Sequence, residues 1–217
     1  IGIAHPAFIQ AGTCGDGVMV SGAPFFNELQ ECDIPPAKHH YGFKEVTSPT
    51  GRVWMDRNLG ASRVATSMDD EQAYGDLYQW GRVADGHQKR NSDATSTLSS
   101  TDQPDHDDYI LNSLAPHDWR SPKNDNLWQG LNVINNPCPS GYRIPTAAEF
   151  DAERQSWDSI DAAGAFDSPL KLPLTGIRYF SEANITDFFN GYYWSSSVGG
   201  TESRYLAFNS GGTAINI

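Results

Sequence analysis

Residues 191–209 read Gly191-Tyr-Tyr-Trp-Ser-Ser-Ser-Val-Gly-Gly-Thr-Glu-Ser-Arg-Tyr-Leu-Ala-Phe-Asn209. Two strand-like runs, Gly191–Val198 and Ser203–Asn209, flank Gly199-Gly200, and this pattern predicts a β-hairpin from about Tyr192 to Asn209. Side chains alternate faces along a strand. Leu206 and Phe208 therefore form one apolar set with Arg204 at its rim, while Ser203, Tyr205, Ala207 and Asn209 share the opposite face. One face suits a core and the other suits either solvent or a ligand. Taken alone, the strand reads as an ordinary half-solvated one; around the hairpin, residues 179–208 hold nine aromatics, set mostly among Ser, Asn, Thr, Gly and Ala. Antibody paratopes have a similar composition, because Tyr offers a large contact area at low entropy cost while small polar residues adapt their hydrogen bonds.

Working outward, Leu170–Leu174 reads as a further strand and Gly211-Gly212 as a turn. Thr146-Ala-Ala-Glu149 is a capping box followed by Phe150, Arg154 and Trp157 at helical spacing, which predicts a helix from about Ala147 to Ser159. Lys44–Thr47 and Arg52–Met55 are strand-like runs joined by the turn Ser48-Pro49-Thr50-Gly51. Tyr74, Leu77, Tyr78 and Trp80 fit either one side of a short helix or a strand ending at Gly81. Residues 85–125 are polar, with Tyr109, Ile110, Leu111, Leu114 and Trp119 as their main core formers, and read as a long surface insertion. Residues 1–42 carry several glycines and Pro35-Pro36 and suggest short strands and turns. Strands, one helix and an antiparallel end give an α+β chain.

The chain has 217 residues and a formal net charge of −12, which argues against a nucleic-acid-binding module or attraction to an anionic membrane. Its longest apolar run is Tyr205–Phe208, too short for a membrane span. With 12% aromatic residues it has the means to build a core. The three cysteines leave two readings open: a Cys14–Cys32 bridge with Cys138 over, or three free thiols.

Motifs for chemistry are sparse. Asp102, Asp105, Asp107 and Asp108 around His106 offer oxygen ligands for a hard cation, although an acidic loop is more often simply solvated. Gln103-Pro104-Asp105 matches a tripeptide of calcium-dependent lectins but lacks the downstream Trp-Asn-Asp strand. His39-His40 has no third metal ligand at a telling spacing. Ser195-Ser196-Ser197 lacks a nucleophile elbow. Gly12-Thr-Cys-Gly-Asp-Gly17 lacks the lysine of a phosphate loop. Asn184-Ile-Thr186 is a glycosylation sequon.

Six phrases occur in order: Val53-Trp-Met-Asp-Arg-Asn-Leu-Gly-Ala61, Gly75-Asp-Leu-Tyr-Gln-Trp-Gly-Arg82, Asn136-Pro-Cys-Pro-Ser-Gly-Tyr-Arg-Ile-Pro-Thr146, Leu172-Pro-Leu-Thr-Gly-Ile-Arg178, Gly191-Tyr-Tyr-Trp-Ser-Ser-Ser197 and Arg204-Tyr-Leu-Ala-Phe-Asn-Ser210. Over about residues 43–210 the chain resembles the major paralogous domain family first noted in Fibrobacter, and is similar to the variable proteins of diversity-generating retroelements. The resemblance implies a C-type lectin-like fold, with antiparallel strands, about two helices and long loops. It also implies a C-terminal region rewritten by reverse transcription that mutates template adenines. Residues 1–42 would be an N-terminal extension packed on the core, and 43–217 the lectin-like domain with its variable region at about 176–217.

Mapped on this sequence, Gly176, Arg178, Gly191, Trp194, Ser195, Ser196, Arg204, Leu206 and Phe208 correspond to framework. Tyr179, Phe180, Ser181, Glu182, Asn184, Asp187, Tyr192, Ser203, Tyr205, Ala207 and Asn209 correspond to varied, ligand-binding positions. The family usually continues into a closing strand carrying a Cys, which this sequence lacks; two readings stay open, that the closing strand is missing or that another segment, for which the N-terminal extension is a candidate, takes its place.

The expected function is non-enzymatic recognition of a protein or glycan ligand on another cell surface, by a monomer carried on a virion or cell surface. No catalytic residue, metal or cofactor is assigned, and neither nucleic acid nor membrane insertion is expected. The alternatives are a formylglycine-generating-type enzyme, whose motif is similar to Arg143-Ile-Pro-Thr-Ala-Ala-Glu-Phe150, and a fixed calcium-dependent lectin or adhesin. That enzyme group holds copper with a C-terminal cysteine pair, and no cysteine follows Cys138 here.

Overall fold

The computed structural model describes residues 2–3, 8–9, 42–129, 135–200 and 202–216. In chain order the elements are β1 (Gly2–Ile3), β2 (Phe8–Ile9), β3 (Glu45–Thr47), β4 (Val53–Met55), a 3-10 turn (Glu71–Ala73), β5 (Tyr78–Gln79), β6 (Ala94–Thr95), β7 (Tyr109–Ile110) and β8 (Tyr142–Arg143). Helices α1 (Ala147–Gln155) and α2 (Ala162–Asp167) follow, and then β9 (Ile177–Arg178), β10 (Ile185–Thr186), β11 (Gly191–Gly199), β12 (Glu202–Asn209) and β13 (Gly212–Asn216). Three antiparallel sheets run β10-β9-β1-β5, β11-β12-β13 and β3-β4-β2-β8, and β6 and β7 form a small parallel pair. This is an α+β arrangement of small, mostly antiparallel sheets with two helices.

Local chemistry explains the better-defined elements. Gly51 turns the β3–β4 hairpin at φ +79°, a conformation that costs a residue without Cβ little. Thr146 caps α1 by accepting the Glu149 amide, while the Glu149 carboxylate accepts the Thr146 amide at 2.8 Å. The helix stops at Gln155, short of the expected Ser159. The Ser156 hydroxyl donates to the Glu153 carbonyl at 2.6 Å and its amide bonds the same oxygen, which tightens the last turn. A second short helix, α2, then starts at Asp161, whose carboxylate accepts the Gly164 amide at 3.0 Å.

Other expectations need correction. Leu170–Leu174 is not a strand: Lys171 sits at φ +49°, and the amides of Lys171 and Leu172 bond back to Ser168 and Ala165. That puts Leu170 and Leu172 in the core beside α2. Of the two readings for Tyr74–Trp80, the strand is formed, as the two-residue β5. Leu114 is 77% exposed, not a core residue. The third strand of the C-terminal sheet, β13, had no strong sequence signal; it pairs with β12 from Asn209↔Gly212 to Tyr205↔Asn216. Two N-terminal dipeptides lie between other strands, β1 between β5 and β9, and β2 between β4 and β8. Cys14, Cys32, His39-His40 and Gly12–Gly17 lie outside the described residues.

The strands separate two apolar cores. In β4, Trp54 enters one core and Met55 the other; in β11, Tyr193 and Trp194 divide in the same way. The helix-side core packs Phe150, Trp157, Leu206 and Phe208 together, with Tyr193 stacked on Phe208 at 5.6 Å. The loop-side core holds Trp80, Trp119, Trp128 and Trp194. Each of these four indoles donates to a backbone carbonyl: Trp80 to Ser195, Trp194 to Tyr78, Trp119 to Trp80 and Trp128 to Asn135. Large rings can be buried here because their one polar atom is satisfied. The Trp80 and Trp194 bonds run in opposite directions and tie the β5 region to β11, where the β11–β12 register shifts between Trp194 and Val198.

The polar insertion is anchored from beneath. Arg82 is fully buried, and its guanidinium reaches Asp85 (2.8 Å), Gln79 (3.0 Å) and the carbonyls of Asp108 (2.8 Å) and His106 (2.9 Å). Beside it, the fully buried His87 accepts the Gln79 amide at Nε2 (3.0 Å) and lies 2.6 Å from Asp85 through Nδ1. A backbone amide can only donate, so the ring is neutral with its proton on Nδ1.

Burial lowers the His87 pKa from 6.5 to about 4, against the opposing pull of Asp85. Between those values the unfolded chain binds more protons than the folded one, so His87 removes stability as pH falls from about 6.5 toward 4. The expected result is a gap in melting temperature between wild type and His87→Gln that narrows across this interval; a constant gap would contradict the assignment.

Candidate ligand-binding face

The tip of the β9–β10 hairpin, the turn after β10 and the outer sides of β11 and β12 carry all eleven candidate residues. β9 and β10 pair through Ile177↔Thr186 and Arg178↔Ile185. The residues between them, Tyr179, Phe180, Ser181, Glu182, Ala183 and Asn184, therefore form a surface tip, with Ser181, Glu182 and Asn184 exposed. The tip is braced by Arg178, which is 2% exposed: its guanidinium holds the hydroxyl and carbonyl of Ser92 (2.7 and 2.8 Å) and lies 4.3 Å from the Tyr109 ring centre. The insertion supports the same tip. Asn112 donates its amide to the Phe180 carbonyl at 2.7 Å, and His117 stacks on the Phe180 ring at 3.9 Å.

On the hairpin that follows, register fixes the two sides. Tyr193 lies opposite Leu206 and Gly191 opposite Phe208, and these face the helices. A Cβ on Gly191 would run into the Phe208 ring, so only glycine lets the strands approach there. Tyr192 lies opposite Ala207 and Trp194 opposite Tyr205, on the outer side. The insertion side of the molecule covers Trp194, leaving it 4% exposed, while Tyr192, Ser203, Tyr205 and Ala207 stay half-buried and Asn209 is exposed. Ser203 to Asn209 spans about 20 Å of strand.

None of the eleven candidates is buried, whereas the framework positions are, apart from the half-buried Arg204.

Four of the candidates converge. The Tyr179 hydroxyl donates to the Asp187 carboxylate at 2.8 Å. Tyr192 and Tyr205 meet ring to ring at 6.0 Å and 60°, and Trp194 backs Tyr205 edge-on at 5.6 Å. The Tyr192 hydroxyl is pushed up to about 12, by burial first and then by the Asp187 charge and the two neighbouring phenols. Asn209 is separate from this group and bonds Asn190 at 2.9 Å. Ser203 lies beyond the register shift, opposite Val198.

The sequence reading missed some of the surface. Phe189 is 84% exposed and Phe188 45%, the latter stacked on Tyr74 at 6.3 Å. Both belong to the aromatic run read from sequence but were not singled out. His117 reaches the tip only through folding, and nothing local to it signals that.

The other candidate chemistries resolve into structure. The Ser195 hydroxyl donates to the Arg204 carbonyl at 2.9 Å and accepts the Ser197 amide, and the Ser197 hydroxyl accepts the first amide of α1. These serines satisfy backbone around the register shift. Asp102 pairs with Arg120 (2.7 Å) and Asn124 (3.0 Å), and among the described residues no three His, Cys, Asp or Glu side chains are grouped to hold a metal ion. Arg143 and Glu149 form a bidentate pair at the α1 cap (3.0 and 2.8 Å). Cys138 is free, and burial raises its pKa, which keeps the thiol protonated. Among the described residues, no helix is long and apolar enough to cross a membrane.

Comparison of the chain with protein-family models, with curated proteins and with solved structures found no match.

Proposed function

We propose that the chain is a non-enzymatic recognition protein, in which a C-type lectin-like scaffold presents a diversified C-terminal face to a protein or glycan on another cell surface. The observation that carries this reading is the partition along residues 176–209. Positions that match the varied set of the resembled family are accessible, and the framework positions interleaved with them are almost all buried. A surface rewritten repeatedly must tolerate change, and substitutions away from the core are usually close to neutral for stability.

The test is to sequence this gene's 3′ end deeply across a source population. Variation is expected at the codons of Ser203, Tyr205, Ala207 and Asn209, in the pattern left by mutated template adenines, with Leu206 and Phe208 unchanged. A uniform sequence would reduce the protein to a fixed binder, for which calcium and glycan binding become the questions.

A protein-level expectation accompanies this. Tyr205→Ala and Tyr192→Ala should abolish ligand retention while changing the unfolding free energy much less than a core truncation does. Parallel loss of binding and melting temperature would instead make these rings part of the core.

A further inference from the structure

We propose that the cluster of Tyr179, Tyr192, Tyr205 and Asp187 binds an organic cation, the side chain of a lysine or arginine presented by a protein partner. This rests on the recognition reading above and names the ligand chemistry of that same face.

Three observations converge on it. First, three half-buried phenol rings gather at one carboxylate: Tyr179 bonds Asp187 at 2.8 Å, and Tyr192 packs on Tyr205 at 6.0 Å. Aromatic faces carry negative potential and attract ammonium and guanidinium groups, most strongly where water is partly excluded. Second, among the described residues none of the ion pairs uses Asp187 or Glu182. Arg178, one residue from Tyr179, holds Ser92 and the Tyr109 ring instead. Third, the sign of the surroundings agrees. The chain carries a net charge of −12, and the exposed Glu182 lies on the adjoining tip. An anionic ligand would meet repulsion on approach, whereas a cationic one would be steered inward.

The experiment titrates the full chain, by amide and side-chain NMR, with three probes: N-acetyl-lysine methylamide, its Nε-trimethylated form, and N-acetyl-norleucine methylamide as the neutral counterpart. Both cations are expected to shift resonances of residues 179–192 and 205, saturating at millimolar concentrations, while norleucine does not. Tighter binding of the trimethylated form would assign the site to methyl-lysine; equal or weaker binding would assign it to unmodified side chains. Asp187→Asn should weaken cation binding by about fivefold or more, Tyr205→Phe should preserve it and Tyr205→Leu should lose it. Retained near-ultraviolet circular dichroism would show that each variant is folded.

The proposal falls if neither cation shifts these residues at about 50 mM. It falls equally if norleucine matches the cations, or if Asp187→Asn binds as tightly as wild type. Absent cation binding beside diversified codons would remove the cation and leave the recognition reading standing. Cation binding beside invariant codons would remove the diversification and keep the cage.

Discussion

Arg82→Ala is expected to destabilise the protein by about 3–5 kcal/mol, the range for removing one partner from a buried, hydrogen-bonded charge pair. The side chain is fully buried and serves four acceptors on three segments: Asp85, Gln79 and the carbonyls of His106 and Asp108. Its loss takes this donor from the carbonyls of His106 and Asp108 and leaves the Asp85 carboxylate only its bonds from His87. Lysine should rescue little, since one ammonium cannot reproduce the planar fork of a guanidinium. Urea unfolding would measure the loss. Hydrogen exchange would show where it falls, with the amides of Tyr109 and Ile110 losing protection ahead of those in β11 and β12. Uniform loss across the chain would mean that the insertion and the hairpin unfold as one unit.

Phe208→Ala should cost a similar amount, about 3–5 kcal/mol, by a different route. The ring is 2% exposed, stacked on Tyr193 at 5.6 Å and edge-on to Trp157 at 5.9 Å. Gly191 has no side chain that could move into the void. The contrast with Tyr205→Ala, on the other side of the same strand, is the informative comparison. A small difference between them would mean that the two faces of β12 carry the fold equally, and the recognition reading would lose its physical basis.

The sequence revealed the parts of the fold whose signals are local. The Thr146–Glu149 capping box, the Gly51 turn and the alternation from Ser203 to Asn209 each depend on neighbours within a few residues, and each is formed as read. Where the partner is distant, the reading failed. Leu170–Leu174 has strand composition, but its apolar side chains are drawn into the core beside α2. Arg82 looks like an ordinary surface cation until the carbonyls of His106 and Asp108 arrive from another loop. The eleven candidate face residues followed from a family resemblance together with strand phase. The convergence of Tyr179, Asp187, Tyr192 and Tyr205 needed the β9–β10 hairpin to fold back beside β11. His117 against Phe180 needed the insertion to close over the tip.

The position of β1 governs when this protein can fold. Gly2 pairs with Gln79 on one side and with Arg178, far along the sequence, on the other. Its sheet therefore cannot be completed until the segment that carries Arg178 has been synthesised. Contacts this far apart in sequence close slowly, because loop entropy must be lost before they form. The candidate face would thus mature late, with the β9–β10 tip taking shape only after these two distant segments have met.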